Sequence, residues 1–242
     1  MRLKLILLSI LFLPCFAATA QFTHTGRIEY ERKTNLHKLW DGDEWMERWK
    51  DKLPVFMVNY FNLSFTTTQS RYEPGREVEA PKITWGLPPG TDNIVHQDYS
   101  KGRITAAKNI YEELFLIRDA PQPHEWKILR EVRTIAGYKC RKAVTRICDS
   151  VYVVAFYTDD IPVSGGPEQS GGLPGMILEL AVPRLYTTWV AMKVDVVSVK
   201  DADLAAPVKG KEVTISQLST KLQESLKDWG KRAQRQVWWG VL

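Results

Sequence analysis

Histidine is scarce in this chain, with four among 242 residues. His24, His37, His96 and His124 stand singly, and neither C-x-x-C nor H-E-x-x-H occurs. The spacings that mark a zinc site are therefore missing. Ser164 and Ser170 adjoin glycines, but neither sits in G-x-S-x-G, so there is no nucleophile elbow. The glycine-rich stretch near residue 170 lacks the Lys-Ser/Thr of a P-loop. No catalytic, cofactor-binding or metal-ligating residue is assigned on these grounds. Basic residues do not cluster with interleaved aromatics, and a formal charge of +5 is mild. That excludes nucleic acid as the expected partner.

Long apolar runs are equally scarce. One occupies residues 5–13, broken only by Ser9, and it is too short to span a bilayer. It follows the basic start Arg2 and Lys4 and precedes Ala18-Thr19-Ala20, which is the order of a secretory signal. Residues 1–20 are read as that signal and residues 21–242 as one β-rich domain. The protein is expected to be exported, periplasmic or at the cell surface, with no transmembrane segment after cleavage.

Cysteine is limited to three residues. Cys15 lies in the signal, and Pro14 before it argues against lipidation. Cys140 and Cys148 bracket a run that reads as a strand, about 26 Å long at roughly 3.3 Å per residue. A disulfide needs Cα atoms within about 7 Å. Two free, largely buried thiols are expected.

What the chain has in abundance is strand. Residues 26–34, 94–99, 103–108, 111–117, 126–135, 138–147, 151–158 and 188–199 alternate or run apolar between turn signals. Lys101-Gly102, Lys108-Asn109, Ala136-Gly137 and Asp149-Ser150 are the expected turns. Tyr60 to Tyr72 reads as a single long strand, and 43–52 as a short helix stopped by Pro54. Near the end, Ile215, Leu218, Leu222, Leu226, Trp229, Ala233 and Val237 form one apolar stripe, with Thr214 and Gln217 as a capping box. This predicts one helix over 215–237 packed on its own sheet; the alternative is an anionic membrane surface or a partner groove. The expected fold is mainly β: a single twisted antiparallel sheet curling toward a half-barrel, with a short N-terminal helix and a C-terminal amphipathic helix.

Five glycines fall between Gly165 and Gly175, with Pro167 and Pro174 among them. The segment runs through Pro162, Gly166 and Pro167 to Gly172-Leu173-Pro174-Gly175-Met176-Ile177. Such a backbone turns repeatedly. Leu173, Met176 and Ile177 suit a core, Pro174-Gly175 reads as a type II turn with positive φ at Gly175, and Glu168-Gln169 reads as a polar stretch.

Here the sequence resembles the GLPGLI family of exported Bacteroidota proteins, with Met176 in place of leucine. Trp126-Lys127-Ile128, the run 135–140, Lys142-Ala143, Phe156-Tyr157-Thr158 and the opening 26–30 are also similar to that family. Phe156 departs from its common tryptophan and Cys148 from its usual glycine or polar residue. The resemblance implies an exported, mainly β protein, often encoded beside outer-membrane TonB-dependent receptors. It implies no biochemical function, since the family has none established.

The expected function is a non-catalytic binding or accessory protein of the cell envelope, linked to an outer-membrane transporter or another envelope protein. The alternatives are a carrier or chaperone for a small apolar ligand in the concave face, and a hydrolase with an unrecognised site. Asp159-Asp160 is a solvated turn, an acid/base pair or a cation site. Nine tryptophans are more than the core requires, and serve as sheet plugs or as interface anchors. Asp149-Ser150-Val151 resembles an O-glycan acceptor of exported Bacteroidota proteins, with Ser150 as the site; a plain turn is the competing reading.

Overall fold

In the computed structural model, residues 22–79, 87–148, 150–229 and 231–242 are described. The signal segment, Trp85 and Asp149 lie outside the described residues. The first strand, β1 (Gly26–Asn35), buries alternate residues Ile28, Tyr30, Arg32 and Thr34, as its pattern requires. It pairs on one side with β2 (Phe56–Phe65), which continues to β3 (Gln69–Pro74), β4 (Ile94–Asp98), β5 (Arg103–Ile110) and β6 (Glu113–Asp119). On the other side it pairs with β11 (Thr187–Asp195), followed outward by β10 (Met176–Val182), β9 (Val151–Thr158), β8 (Tyr138–Ile147) and β7 (Lys127–Ile135). A short β12 (Lys211–Val213) adds to β6 in parallel. Among the described residues these twelve strands form one open sheet, ordered β12-β6-β5-β4-β3-β2-β1-β11-β10-β9-β8-β7. Apart from β12 it is antiparallel. Phe115 and Ile117 near one end share a single apolar cluster with Val153 and Ala143 near the other, so the sheet curls about one core.

Several sequence expectations need correction. The long strand over 60–72 is two strands, because Thr66 to Gln69 is a turn: Thr66 N–H donates to Gln69 O at 2.8 Å, and Gln69 N–H donates to Thr66 Oγ1 at 3.2 Å. Threonine reads as a strand former, but its hydroxyl also closes turns. The β5–β6 turn is Tyr111-Glu112, with φ of 51° and 64°, not Lys108-Asn109. Both residues occupy the left-handed region at a cost of about 1–2 kcal/mol each. The N-terminal helix shrinks to α2 (Glu44–Glu47), capped by Asp43, and is preceded by an unforeseen α1 (Leu36–Leu39) capped by Asn35.

Another concerns the C-terminal stripe. The 215–237 helix breaks into α3 (Ile215–Ser225) and α4 (Lys231–Val241), joined through a 3₁₀ turn at Lys227–Trp229. The capping box is present, with Thr214 Oγ1 accepting from Gln217 N–H and Gln217 Oε1 from Thr214 N–H. Ile215, Leu218, Leu222 and Leu226 are all buried, which matches the packed-helix reading. After the break α4 packs against α3, and a Cβ at Gly240 would press on Leu222. Trp238 and Trp239 enter the core from this last helix.

Cys140 and Cys148 form no disulfide, as the strand between them requires. Cys140 is buried, and burial pushes its pKa up to about 12. Cys148 is exposed, contrary to expectation, because it leaves β8 with φ of 47° and turns into the hairpin.

Leu222→Ala should cost about 2–5 kcal/mol, measured by urea unfolding, because the leucine is buried between α3 and α4. Acid stability offers a second check. Asp98 accepts from Ser100 Oγ at 2.6 Å and from Lys101 N–H at 3.0 Å, and it pairs with the Lys101 ammonium. The Ser100 bond first, then Lys101, hold its pKa at about 2, below the ordinary 3.8. Its contribution is therefore complete above about pH 4 and is lost as pH falls toward 2. Asp98→Asn should flatten the melting-temperature profile across that window.

Candidate functional site

The loop from Ile161 to Gly175 connects β9 to β10 and folds back on the sheet instead of projecting from it. Met176 N–H donates to Ile161 O at 3.0 Å and Ile177 N–H to Gly165 O at 2.8 Å, which closes the loop at its base. Ile161, Val163, Leu173, Met176 and Ile177 are buried, so the apolar part of the signature enters the core as expected. Gly166 and Pro167 are buried too, while Pro162 and Pro174 are exposed.

The glycines are required for reasons the sequence does not separate. Gly172 holds φ of +83°. Gly175 does not have a positive φ, which corrects the type II expectation. Instead it passes so close to β9 that a Cβ would overlap the Thr158 carbonyl. Gly166 is similarly confined by Ser170 and Ile177.

A larger correction concerns Glu168, expected on a polar stretch. Its side chain is only 2% exposed and its φ is +55°. Oε2 accepts from Asn93 Nδ2 at 2.8 Å and faces the Lys108 ammonium at 3.9 Å, while Oε1 has no partner. Lys108 is also fully enclosed, and its Nζ donates to Gly240 O of α4 at 3.4 Å. Burial lowers the Lys108 pKa, and Glu168 opposes that shift. Next to them Arg32 is completely buried. Its guanidinium donates to Gly90 O at 2.7 Å, Pro89 O at 3.1 Å and Asn59 Oδ1 at 2.8 Å, and lies over the Phe61 and Trp239 rings. Burial lowers its pKa, while Tyr72 and Glu168 counter it. No sequence pattern singled out Arg32 or Lys108 as a buried charge: Arg32 is one residue in an alternating strand, and Lys108 reads as part of a turn.

At the other side of the loop lies a small cleft. Ile147 of β8, Val153 of β9 and Leu180 of β10 line it together with Leu242. Gln122, His124 and Trp126 from the segment before β7, Gln169 and Ser170 from the loop, Thr145 of β8 and Val241 of α4 complete the lining. Its volume is about 30 Å³. The Trp126 indole donates to Gly171 O at 2.9 Å, and Gln169 N–H donates to Leu242 O at 2.8 Å, so the walls are tied together. Both terminal atoms of the Gln169 side chain are buried there without a hydrogen-bond partner. Burial lowers the His124 pKa, which keeps the imidazole neutral at neutral pH.

The remaining candidates are placed as follows. Ser150 is half-buried in the β8–β9 turn, its N–H donating to Cys148 O at 2.7 Å. Asp159 and Asp160 are exposed, and Asp159 pairs with Arg141, which fits the solvated turn. Trp45 is exposed, whereas Trp238 and Trp239 are buried. Among the described residues no group of three or more His, Cys, Asp and Glu is placed to hold a metal.

A family model described as a protein of unknown function (Porph_ging) matches residues 145–179. The match covers the end of β8, all of β9, the loop and the start of β10. Thr145, Ile147, Val153, Gln169 and Ser170 of the cleft fall inside it. Among curated proteins none matches the sequence. Among solved structures, PNGF-II in a P21 crystal form is similar at a TM-score of 0.53 and 17% identity, covering 86% of this chain and 33% of that one. Its C2 form gives 0.52 and 16%, covering 90% and 33%. This chain thus spans about a third of PNGF-II. At such identities the likeness shows the fold alone. An uncharacterised conserved protein from Thermus thermophilus, at a TM-score of 0.41 and 6% identity over 80% of this chain and 92% of that one, is too distant to carry an argument.

Glu168→Ala should cost about 3–5 kcal/mol, since it leaves the Lys108 ammonium buried without its partner. Gly175→Ala should cost about 1–3 kcal/mol from overlap with the Thr158 carbonyl. Thermal melts of both variants check these values.

Proposed function

We propose that this protein is an exported, non-catalytic binding or accessory protein of the cell envelope, working beside an outer-membrane transporter of the TonB-dependent kind. The observation that supports this reading is that the concave face is occupied by the chain itself. Trp189 donates its indole N–H to the Tyr72 hydroxyl at 3.1 Å and meets Trp239 edge-on at 5.9 Å. Arg32, Lys108 and Glu168 fill the space around them. A cleft of about 30 Å³ is far below the roughly 300–1,000 Å³ of a small-molecule pocket. That weighs against a carrier holding an apolar ligand within the sheet. The hydrolase alternative receives no support from Asp159 and Asp160, which face solvent with Asp159 held by Arg141. Recognition then falls to the loop end of the sheet and to the outer surface. Exposed side chains there, such as Tyr152, Met192 and Val196, are available for contact. No helix among the described residues is long and apolar enough to cross a membrane.

The test is affinity capture of the tagged protein from native envelope, with mass spectrometry and a reciprocal capture from the tagged partner. The expected result is one outer-membrane receptor enriched in both directions. Enrichment of no envelope protein, or turnover of an ester, amide or glycoside library by the pure protein, would remove the reading.

A further inference from the structure

We propose that the β7–β8 hairpin is a docking surface for an anionic phospholipid bilayer, whose phosphates are met by the free cations of the hairpin. The inference goes beyond the reading above: it adds a lipid contact to the receptor contact, and either can fail without the other. It begins from the distribution of charge. Residues 127–147 hold seven lysines and arginines and one acid, Glu131, a net +6 where the whole chain carries +5. Everything outside the hairpin therefore sums to −1, and the basic character of the protein belongs to this one element. Part of that charge is spent within the fold. Arg133 and Lys142 pair with Glu131, Arg133 also reaches Glu179, and Arg141 pairs with Asp159. Lys127, Arg130, Lys139 and Arg146 are exposed and have no ion pair among the described residues. Glu125, just before β7, is exposed and pairs with none of them. Like charges gathered at one edge repel one another and give the folded chain nothing in return.

The arrangement of these cations favours a plane of phosphates over a protein partner. Residues opposite one another across a ladder share a face, as do residues two apart on a strand. Lys127 lies opposite Val144, two residues from Arg146, and Arg146 lies opposite the exposed Tyr152. Lys139 shares the other face with Arg141 and with Ala143, which enters the core. Free cations thus flank both faces of the outermost ribbon of the sheet. A protein gripping one face would leave the others unused, whereas a plane met by the ribbon's edge receives both sets. Guanidinium donors match phosphate oxygens, and a carpet of headgroups meets scattered cations without a fixed partner for each. Ile128 and Val132 are exposed singly along the same edge strand, between cations. Small apolar groups flanked by Lys and Arg, with a tyrosine beside them, suit the headgroup level of a bilayer. Such a contact uses side chains alone, so the irregular ladder of β7 does not oppose it.

The experiment is co-sedimentation of the chain without its signal segment with vesicles of an equal mixture of phosphatidylcholine and phosphatidylglycerol, and with pure phosphatidylcholine. One variant carries Lys127→Gln, Arg130→Gln, Lys139→Gln and Arg146→Gln. A second loses the same charge elsewhere, through Lys38→Gln, Arg103→Gln, Lys209→Gln and Lys227→Gln, all exposed. The wild type should bind the mixed vesicles only, and should be released at about 1 M salt, where the screening length is about 3 Å. The hairpin variant should bind about tenfold more weakly or worse, since each cation near an anionic surface contributes roughly fivefold. The second variant should stay within about threefold of wild type, because its cations lie beyond the screening length of the contact. Acetylation of the vesicle-bound wild type gives a readout free of any folding defect: Lys127 and Lys139 should be protected, and Lys38 and Lys209 should not. No binding to mixed vesicles, equal binding to pure phosphatidylcholine, equal loss in both variants, or uniform acetylation would each overturn the proposal. A receptor captured through the hairpin without vesicle binding would overturn it in favour of an acidic protein partner and leave the broader reading standing.

Discussion

The carboxylate of Glu168 is the contact on which the arrangement of this molecule turns. It sits in the connection between β9 and β10, which would otherwise be a surface loop, and it reaches Asn93 from the segment before β4 and Lys108 from β5. Lys108 in turn touches the last turn of α4 at Gly240 O, and Arg32 from β1 stacks on Trp239 of the same helix. Loop, sheet and C-terminal helix are therefore joined through charges with almost no access to water. Burying charge is expensive, and the mutual attraction repays it only where hydrogen bonds complete the shell. Here the shell is incomplete for both: the Nη atoms of Arg32 reach three acceptors while its Nε has none, and Oε1 of Glu168 has none. The left-handed φ of Glu168 adds about 1–2 kcal/mol of strain. An apolar core would avoid both costs. What the charges supply is a tie between the loop and the sheet, through Glu168 to Asn93 and Lys108.

Much of the fold is legible because strands write themselves in alternation. Ile28, Tyr30 and Arg32 against Arg27, Glu29 and Glu31 give β1 almost to the residue, and Ala136-Gly137 gives a turn with φ of 48° and 88° between β7 and β8. The sequence misleads where a local signal is overridden. Lys108-Asn109 has the composition of a turn, yet Lys108 is needed inside the sheet opposite Phe115, and the reversal is pushed to Tyr111-Glu112. Thr66 to Thr68 look like strand, yet their hydroxyls close a hairpin. The apolar stripe from Ile215 to Val237 keeps its period across a break, so periodicity alone cannot reveal that α4 folds back on α3.

The site is legible only in part. Glycine and proline density marks the loop, and the apolar character of Leu173, Met176 and Ile177 marks their burial. The partners of Glu168 are not legible, because Asn93, just before β4, and Lys108, on β5, lie 75 and about 60 residues away, and nothing in their local sequence distinguishes them. Glu168 and Gln169 also look alike as a polar pair in a glycine-rich segment. The fold separates them: one turns inward to a buried ammonium, the other toward a cleft lined by apolar side chains. Such a division of neighbouring residues depends on backbone direction, here a positive φ at Glu168, and not on composition.

The two edges of the sheet bear on where contacts can form. An open sheet carries unpaired backbone groups at each end, and proteins blunt them to prevent indiscriminate pairing. β12 is three residues long and carries Lys211 and Glu212. β7 is longer, but its register against β8 slips between Ile128 and Val132, and Lys127, Arg130, Glu131 and Arg133 are exposed along it. Glu131 is already engaged by Arg133 and Lys142, and Arg133 also reaches Glu179 on β10. A partner strand laid along β7 would meet a broken ladder and charges committed elsewhere. Both edges thus discourage strand addition, and the concave face is filled by the chain's own tryptophans and charges. Beyond the basic side chains of the β7–β8 hairpin, what remains is the loop end of the sheet, where the backbone is positioned by Glu168 and the walls are tied by Trp126 and Leu242. The rigidity built into that end has little purpose for folding alone, since a plain hairpin between β9 and β10 would close the sheet at lower cost.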